Sequence, residues 1–329
     1  MDYKTLQADI NENIRKPVYL LYGEERYLVR HYAEALAADC DRDTFDGDTP
    51  PVHIIAAAES LPFLAEKRAV LVRDSKLFVS GRKNDAEVLA KYILTIPPET
   101  VVIFTEADAD KRLKIYKAVA ETGRVIHCTH LPPAELNRWV IKQCRARNKT
   151  IPPAAVEKLL RATAHDMTAL THEIAKLAAH AGTRPNITVE DIDALTTPTL
   201  QTRVFDLLAA MGRNQLAAAL TLYRQMLQMK ESPHGILSMV IRHFRLILQC
   251  KCAQQKKMPK GDIAKSLGIH PYAATEALAQ VPRYTTERLL YALQDCLDTD
   301  VRLKSGRLDA EIGVELLIVK YSGATPHEA

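Results

Sequence analysis

Short runs of apolar residues alternate with amphipathic stretches through the first 130 residues of the chain. The runs are continuous and rich in β-branched residues, as strands buried on both faces should be. The clearest runs are 17–22, 68–72 and 100–104, and weaker ones are 43–46 and 124–128. Amphipathic segments lie between them at 26–38, 52–59, 85–95 and 111–121. Strand and helix in this repeated order predict a doubly wound parallel sheet with helices on both faces.

After residue 131 the strand pattern disappears and only helices are predicted. Pro132 and Pro133 fit a helix start, because a proline at the first helical positions leaves no amide unpaired. The predicted helices are 131–147, 153–164, 166–181 and a short capped one at Thr188 and Asp191. About five more are expected from Val204 to Tyr321, with breaks near Gly212, Pro233, Gly261, Gly268, Pro282 and Gly306. The expected fold class is α/β plus all-α, with domains at 1–140, 141–204 and 205–329.

Composition narrows the class of protein. The 329 residues are 47% hydrophobic and 26% charged, and the 12 Gly and 17 Pro are scattered, which argues against collagen-like, coiled-coil and disordered chains. No apolar run approaches the roughly 18 residues that span a bilayer, so a cytoplasmic protein without membrane contact is expected. The six cysteines are dispersed and lack zinc-site spacing, so neither a disulfide framework nor a metal site is expected.

Charge is unevenly distributed along the chain. The net charge is +4, yet residues 1–140 carry −3, residues 141–204 carry +3 and residues 205–329 carry +4. A polyanion is therefore expected to meet the C-terminal two-thirds, although the fields are weak.

The turn after the first strand decides whether this sheet can bind a nucleotide, since phosphates lie where a strand runs into a helix. It reads Gly23-Glu24-Glu25-Arg26. A phosphate loop needs several glycines, a lysine and a Ser or Thr, whereas this turn has one glycine and two carboxylates that repel phosphate. No Ser-His-Asp or Cys-His arrangement stands in a suitable context either. We predict no catalytic residue, no bound nucleotide and no cofactor.

A second class of function stays open on the residues alone. Residues 262–278 have the helix, glycine turn and helix spacing of a helix-turn-helix, which would suit a DNA-binding regulator. The second helix, however, has no Arg or Lys to meet phosphate or guanine. The regulator is the alternative function, and an enzyme with a degenerate nucleotide fold is a third.

Several segments, in their order and spacing, resemble one family. They are PVYLLYGEERYL at 17–28, LPFLAEKR at 61–68, DKRLK at 110–114, Trp139, LTHEIAKL at 170–177, VFDL at 204–207, IAKSLGI at 263–269, DVRLKSG at 300–306 and ELL at 315–317. Together they span nearly the whole chain and resemble the delta subunits of bacterial DNA polymerase III.

The resemblance implies an AAA+-like α/β domain without a working phosphate loop, a helical lid, and a helical collar that joins a pentameric ring. In that family the subunit binds the sliding clamp and opens it for loading onto primed DNA during replication. The implied partners are the clamp (the beta subunit), the ATPase subunits, a delta-prime-like subunit and primed DNA. The subunit itself would have no ATPase activity, although it would be part of the DNA polymerase III holoenzyme.

The family contact with the clamp is a pair of large apolar residues before the third strand. Here it maps onto Phe63 and Leu64, with Leu61 and Pro62 beside them. The residues alone make this possible, because Pro62 should end a helix and turn the pair into a loop. Adjacent apolar side chains on a tip suit a groove in a partner. The other possibility is that the pair packs into the domain's own core, as most such pairs do.

Four basic residues are candidates for contact with DNA. Lys304 and Arg307 lie on a predicted turn, and Arg242 and Arg245 lie with His243 on a predicted helix. Phosphate contact requires only placed positive charge. Solvated surface charge or a subunit interface would explain each of them at least as well.

Overall fold

The computed structural model describes residues 3–12 and 14–322, and the chain divides into two compact units, Met1–Leu131 and Pro132–Ala329. The first unit contains the sheet, and the second is built from helices. None of the helices in the described part of the chain is long and apolar enough to cross a membrane.

Five strands form the sheet of the first unit. They are Val18–Tyr22 (β1), Asp41–Asp46 (β2), Arg68–Arg73 (β3), Thr100–Glu106 (β4) and Arg124–His127 (β5). All pair in parallel, in the spatial order β2-β3-β4-β1-β5. The central strands β1 and β4 are buried along their whole length, which is why they read as continuous apolar runs. The edge strand β2 alternates between half-buried and exposed residues, so its apolar pattern is weak.

Helices cover both faces of this sheet. They are Tyr3–Asn11 (α1), Arg26–Leu36 (α2), Pro51–Glu59 (α3), Lys83–Tyr92 (α4) and Lys114–Thr122 (α5). Helices α3, α4 and α5 enclose a core against one face of the sheet, in which the rings of Phe78 and Phe104 meet edge to face at 5.1 Å. Helix α2 packs on β1 and β4 from the opposite face.

The five predicted strands and the four predicted helices of this unit are confirmed, with shifted ends. The predicted helix at 111–121 begins later, because the Asp110 carboxylate accepts the Arg112 amide at 2.9 Å in a turn that precedes α5. Helix α1 was not predicted.

Helices make up the described part of the second unit. They are Pro133–Arg145 (α6), Pro153–Ala162 (α7), Met167–Ala181 (α8), Val189–Leu195 (α9), Leu200–Gly212 (α10), Leu216–Gln228 (α11), Pro233–Gln255 (α12), Lys260–Leu267 (α13), Pro271–Gln280 (α14), Thr286–Lys304 (α15) and Ala310–Ser322 (α16). Helix α12 packs against α10, α14, α15 and α16, and the core of these helices lies between Val204 and Tyr321. Helices α6 to α9 pack against one another. At the start of α9, Thr188 and Asp191 form the predicted capping box.

The predicted fold class, α/β followed by all-α, is confirmed. Seven α-helices, rather than about five, follow Thr199 in the described residues, because the six predicted breaks divide this part of the chain into seven segments and each of them is helical. The division between the two units lies after Leu131, whereas residue 140 falls inside α6. The separation of a lid at 141–204 from a collar at 205–329 stays a prediction.

Candidate binding tip and first turn of the sheet

The loop between α3 and β3 contains the predicted apolar contact, residues 61–64, which we call the tip. Helix α3 ends at Glu59, and Ser60 already has an extended conformation with ψ of 133°. Pro62 follows, and its ring keeps the preceding residue out of the helical region. The chain therefore leaves the helix before the tip, as the sequence predicts.

The tip exposes its large apolar side chains. Leu61, Phe63 and Leu64 are 79%, 90% and 87% exposed, and Pro62 is half-buried. The alternative, in which Phe63 and Leu64 pack into the domain's own core, is therefore wrong. Two adjacent apolar side chains in water would gain free energy from burial in a partner's groove, where such anchors contribute most of the binding energy.

One carboxylate holds the backbone of the tip. Asp41, the first residue of β2, accepts hydrogen bonds from the backbone amides of Phe63 and Leu64, the latter at 2.9 Å. These bonds lower the pKa of the Asp41 carboxyl below its usual value, and the Leu64 amide contributes most. The strand register brings them together, because Asp41 pairs with Arg68 and so lies beside the residues that lead into β3.

Arg68 holds the other end of the tip. Its Nη1 donates to the carbonyl of Leu61 at 3.4 Å, and its guanidinium forms an ion pair with Asp43 on β2. The backbone is thus held at Leu61, Phe63 and Leu64, while the three apolar side chains remain in solvent. The tip is an apolar projection whose backbone is hydrogen-bonded to residues of β2 and β3.

The turn after β1, for which no bound nucleotide is predicted, begins with a glycine that no other residue can replace without strain. Gly23 has a φ of +131°, and a Cβ built there would lie 2.4 Å from the carbonyl oxygen of Cys128. The two backbones approach closely because that carbonyl accepts the Glu25 amide at 3.0 Å, and the Cys128 amide donates to the Tyr22 carbonyl at 2.7 Å. The single glycine of the turn therefore serves backbone packing.

Acidic side chains occupy the space in front of α2. Glu25 is buried and accepts the Tyr27 amide at 3.3 Å, which caps the helix. Its other oxygen lies 3.0 Å from Nδ1 of His130. Glu24 lies 3.7 Å from His127. A carboxylate of the chain itself thus holds the helix N-terminus, which would otherwise stabilise a phosphate.

The ends of β3 and β4 are joined by a second buried carboxylate. Glu106 accepts the amide and the hydroxyl of Ser75 at 3.0 and 2.5 Å, and the amide of Lys76 at 3.3 Å. Burial raises the pKa of Glu106 above its usual value. Nearby, Arg26 and Asp74 form an ion pair of 2.7 Å. The charged groups at this edge of the sheet bind one another and the backbone.

The four candidate DNA-binding residues are exposed, and they lie on two parts of the second unit. Arg242 and Arg245, on α12, line a cavity of about 270 Å³ together with Gln201 and Gln249. Lys304 ends α15 and forms an ion pair of 2.7 Å with Asp300, and Arg307 follows in the next turn.

His243 differs from the two arginines beside it in sequence. It is 3% exposed, and its Nε2 lies 3.2 Å from Nε2 of the Gln280 side-chain amide. Burial lowers the pKa of His243 to about 3, so the ring is neutral at pH 7. It faces the core because α12 turns by about 100° per residue.

The predicted helix-turn-helix consists of α13 and α14. Gly268 ends α13 in the left-handed conformation, with φ of +63°. Much of α14 is buried: Tyr272, Ala273, Ala274 and Ala277 are all 9% exposed or less. A helix that gives its small and aromatic residues to the core has the character of a packing element, which argues against the regulator as the function.

A five-stranded parallel sheet with helices on both faces, followed by a helical second unit, is the fold class that the sequence predicts. Two family models match the chain, DNA polymerase III, delta subunit, over residues 19–129 and DNA polymerase III delta subunit, C-terminal domain, over residues 201–321. Together they span more than half of the chain, and the chain belongs to the DNA polymerase III delta-subunit family.

Individual relatives agree with the family models. DNA polymerase III subunit delta of Bacillus subtilis (strain 168) is 26% identical over an alignment of 333 positions, gaps included, that covers 95% of this chain and 96% of the relative. The probable delta subunit of Aquifex aeolicus (strain VF5) is 24% identical over 189 residues, 54% of each chain. The solved structure of the B. subtilis DNA clamp loader delta protein matches with a TM-score of 0.79 and 25% identity, over 97% of this chain and 99% of that one. The predicted family is confirmed.

Sequence reasoning missed Asp41 and Glu106, the two carboxylates that order the loops around the sheet. Both contacts join segments far apart in the chain, 22 or more residues for Asp41 and 30 or more for Glu106. The predicted strand at 43–46 also excluded Asp41. An acidic residue at the first position of an edge strand was the one available signal.

Replacement of Gly23 tests the tight turn. Gly23→Ala should lower the free energy of unfolding by about 2–4 kcal/mol, because the positive φ is strained for alanine and the Cβ collides with the Cys128 carbonyl. Urea unfolding of the full chain, followed by circular dichroism, measures this loss.

Gly81→Ala is the matched control for Gly23→Ala. Gly81 has a φ of +130°, but nothing lies within 4 Å of an added Cβ, so its substitution adds backbone strain alone. We expect Gly81→Ala to cost about 1–3 kcal/mol less than Gly23→Ala. Equal losses would show that contact with Cys128 is unimportant.

Proposed function

We propose that this chain is the non-catalytic subunit of a DNA polymerase III clamp loader, which binds the sliding clamp and opens it for loading onto primed DNA in the cytoplasm. One observation carries the proposal: Phe63 and Leu64 are 90% and 87% exposed on a backbone that Asp41 holds in place. Family membership supports the clamp as the partner, since the related B. subtilis structure is that of a clamp loader delta protein.

The tip is suited to insertion into an apolar groove. A large apolar anchor in a well-packed pocket contributes about 2 kcal/mol or more, and an ordered loop loses little entropy when it binds. A subunit without chemistry can open a ring only by binding the open form more tightly than the closed form. The tip would supply that differential affinity as binding energy.

The first turn of the sheet supports a role without ATP hydrolysis. The Glu25 carboxylate caps α2 in the place where phosphate oxygens would otherwise bind. A phosphate bound there would lie next to the Glu25 carboxylate, and two negative groups in contact repel each other. ATP would therefore be hydrolysed by other subunits of the loader.

Apolar stripes on α15 and α16 support assembly with those subunits. The exposed residues recur at helical spacing, so each set forms one stripe along its helix. The stripes are Leu290, Leu297 and Val301 on α15, and Ile312, Leu316 and Val319 on α16. Contacts with the ATPase subunits and with a delta-prime-like subunit would cover them.

The double variant Phe63→Ala with Leu64→Ala tests the clamp contact. Both side chains lie in solvent, so folding should be unaffected, while clamp affinity should fall at least about 30-fold through loss of the apolar anchors. Titration of purified sliding clamp with the full chain, without nucleotide, measures the affinity.

A matched control removes apolar surface elsewhere on the same unit. Val52 on α3 and Val88 on α4 are 64% and 49% exposed. Val52→Ala with Val88→Ala should leave clamp affinity unchanged. If the folded Phe63→Ala with Leu64→Ala variant binds the clamp as tightly as the unsubstituted chain, the proposed clamp contact is wrong.

Substitution of Arg242 and Arg245 tests the contact with DNA. In the assembled loader, Arg242→Ala with Arg245→Ala should weaken binding to primed DNA. The slope of log affinity against log salt should become shallower by about 1–2, because with fewer phosphate contacts fewer counterions are released from the DNA on binding. Lys304→Ala with Arg307→Ala is measured in the same way.

Lys256→Ala with Lys257→Ala is the control for charge, since it removes two exposed cations from the end of α12. It should leave the slope unchanged. An unaltered salt slope in either test pair would remove that pair from the DNA contact.

A further inference from the structure

Strand β2 carries three aspartates, and each has a different environment. Asp43 pairs with Arg68. Asp46, at the other end of the strand, is exposed. Asp41 alone of the three is directed to backbone amides of the neighbouring loop, where one oxygen, Oδ2, accepts from two consecutive residues.

Two consecutive amides that converge on one oxygen define the local shape of the tip. In an extended chain, successive N–H groups point to opposite sides. Convergence of the Phe63 and Leu64 amides therefore requires a concave turn of the backbone, the kind of nest that binds anions. The anion here is the chain's own carboxylate, and both side chains face solvent.

We propose that Asp41 is a positioning residue for clamp binding, which fixes the backbone of Phe63 and Leu64 so that both side chains are presented together before the clamp arrives. The inference rests on the proposed function of the tip. Asp41 itself need not touch the clamp, since it acts through the two amides.

The physical reason is the population of binding-competent loops. Residues 60–67 contain no helix or strand, so internal hydrogen bonds decide how many conformations they sample. Without the carboxylate, the two amides would bond to water and the side chains would separate in many conformers. The apparent affinity falls in proportion to the competent fraction, even though the anchors are unchanged.

Arg68 and Asp43 make the arrangement specific to Asp41. The Arg68 guanidinium binds Asp43 and the Leu61 carbonyl, which fixes the start of the tip. The ion pair occupies the Asp43 carboxylate. The Asp41 carboxylate is therefore the acceptor that remains for the amides of Phe63 and Leu64.

Asp41→Asn in the full chain tests the proposal, because it keeps the shape of the side chain and removes the charge that strengthens both bonds. We expect affinity for the purified sliding clamp to fall about tenfold, chiefly through slower association, because a smaller fraction of the free chains presents both side chains together. Amide hydrogen exchange of the free chain should become faster in residues 60–67. The thermal midpoint should stay within about 2 °C, since Asp41 contributes nothing to the core.

Asp46→Asn is the matched control, with the same change of charge on the same strand, and should alter neither exchange nor affinity. Unchanged exchange in residues 60–67 of the Asp41→Asn chain would overturn the inference, and so would faster exchange with undiminished clamp affinity. If the unsubstituted chain fails to bind the clamp, the proposed function fails and the positioning role falls with it. If Asp41→Asn weakens binding and Phe63→Ala with Leu64→Ala does not, the tip is not the anchor and the inference is again overturned.

Discussion

Parallel pairing of five strands determines where each feature of the first unit can lie. In a parallel sheet, all strands begin at one edge and end at the other. Asp41 begins β2 and the tip precedes β3, so both lie at the edge where strands begin. Gly23 follows β1 and Asp74 follows β3, so the degenerate turn lies at the opposite edge. The surface proposed for the clamp and the place where a nucleotide would bind are thus separated by the length of the strands.

Carboxylates perform the same task at both edges. Asp41 accepts hydrogen bonds from backbone amides of the tip, Glu25 from an amide at the start of α2, and Glu106 from amides of the loop after β3. In each case a buried or ordered acid satisfies backbone donors that an external anion could otherwise bind.

Continuous apolar runs made the sheet predictable, because strands buried on both faces have no polar positions to confuse the pattern. Pro62 placed Phe63 and Leu64 outside a helix, but the residues alone left open whether the pair would be exposed or packed in the core, and only the family resemblance favoured exposure. The role of Asp41 was not, because it depends on the register between β2 and β3, which local sequence does not encode. His243 was grouped with Arg242 and Arg245 by proximity in sequence, yet one residue along a helix is enough to turn a side chain from solvent into the core. The sequence therefore did not predict which distant residues are paired, or which side chains of a helix face the core.

The proposed subunit would bind and hold its partner without using nucleotide. The most direct test is a titration of purified sliding clamp with the isolated full chain, in the absence of nucleotide and again with ATP and magnesium. We expect tight binding with the same dissociation constant under both conditions. Clamp affinity that appears only with ATP, or changes severalfold with it, would show that the chain depends on nucleotide to bind its partner.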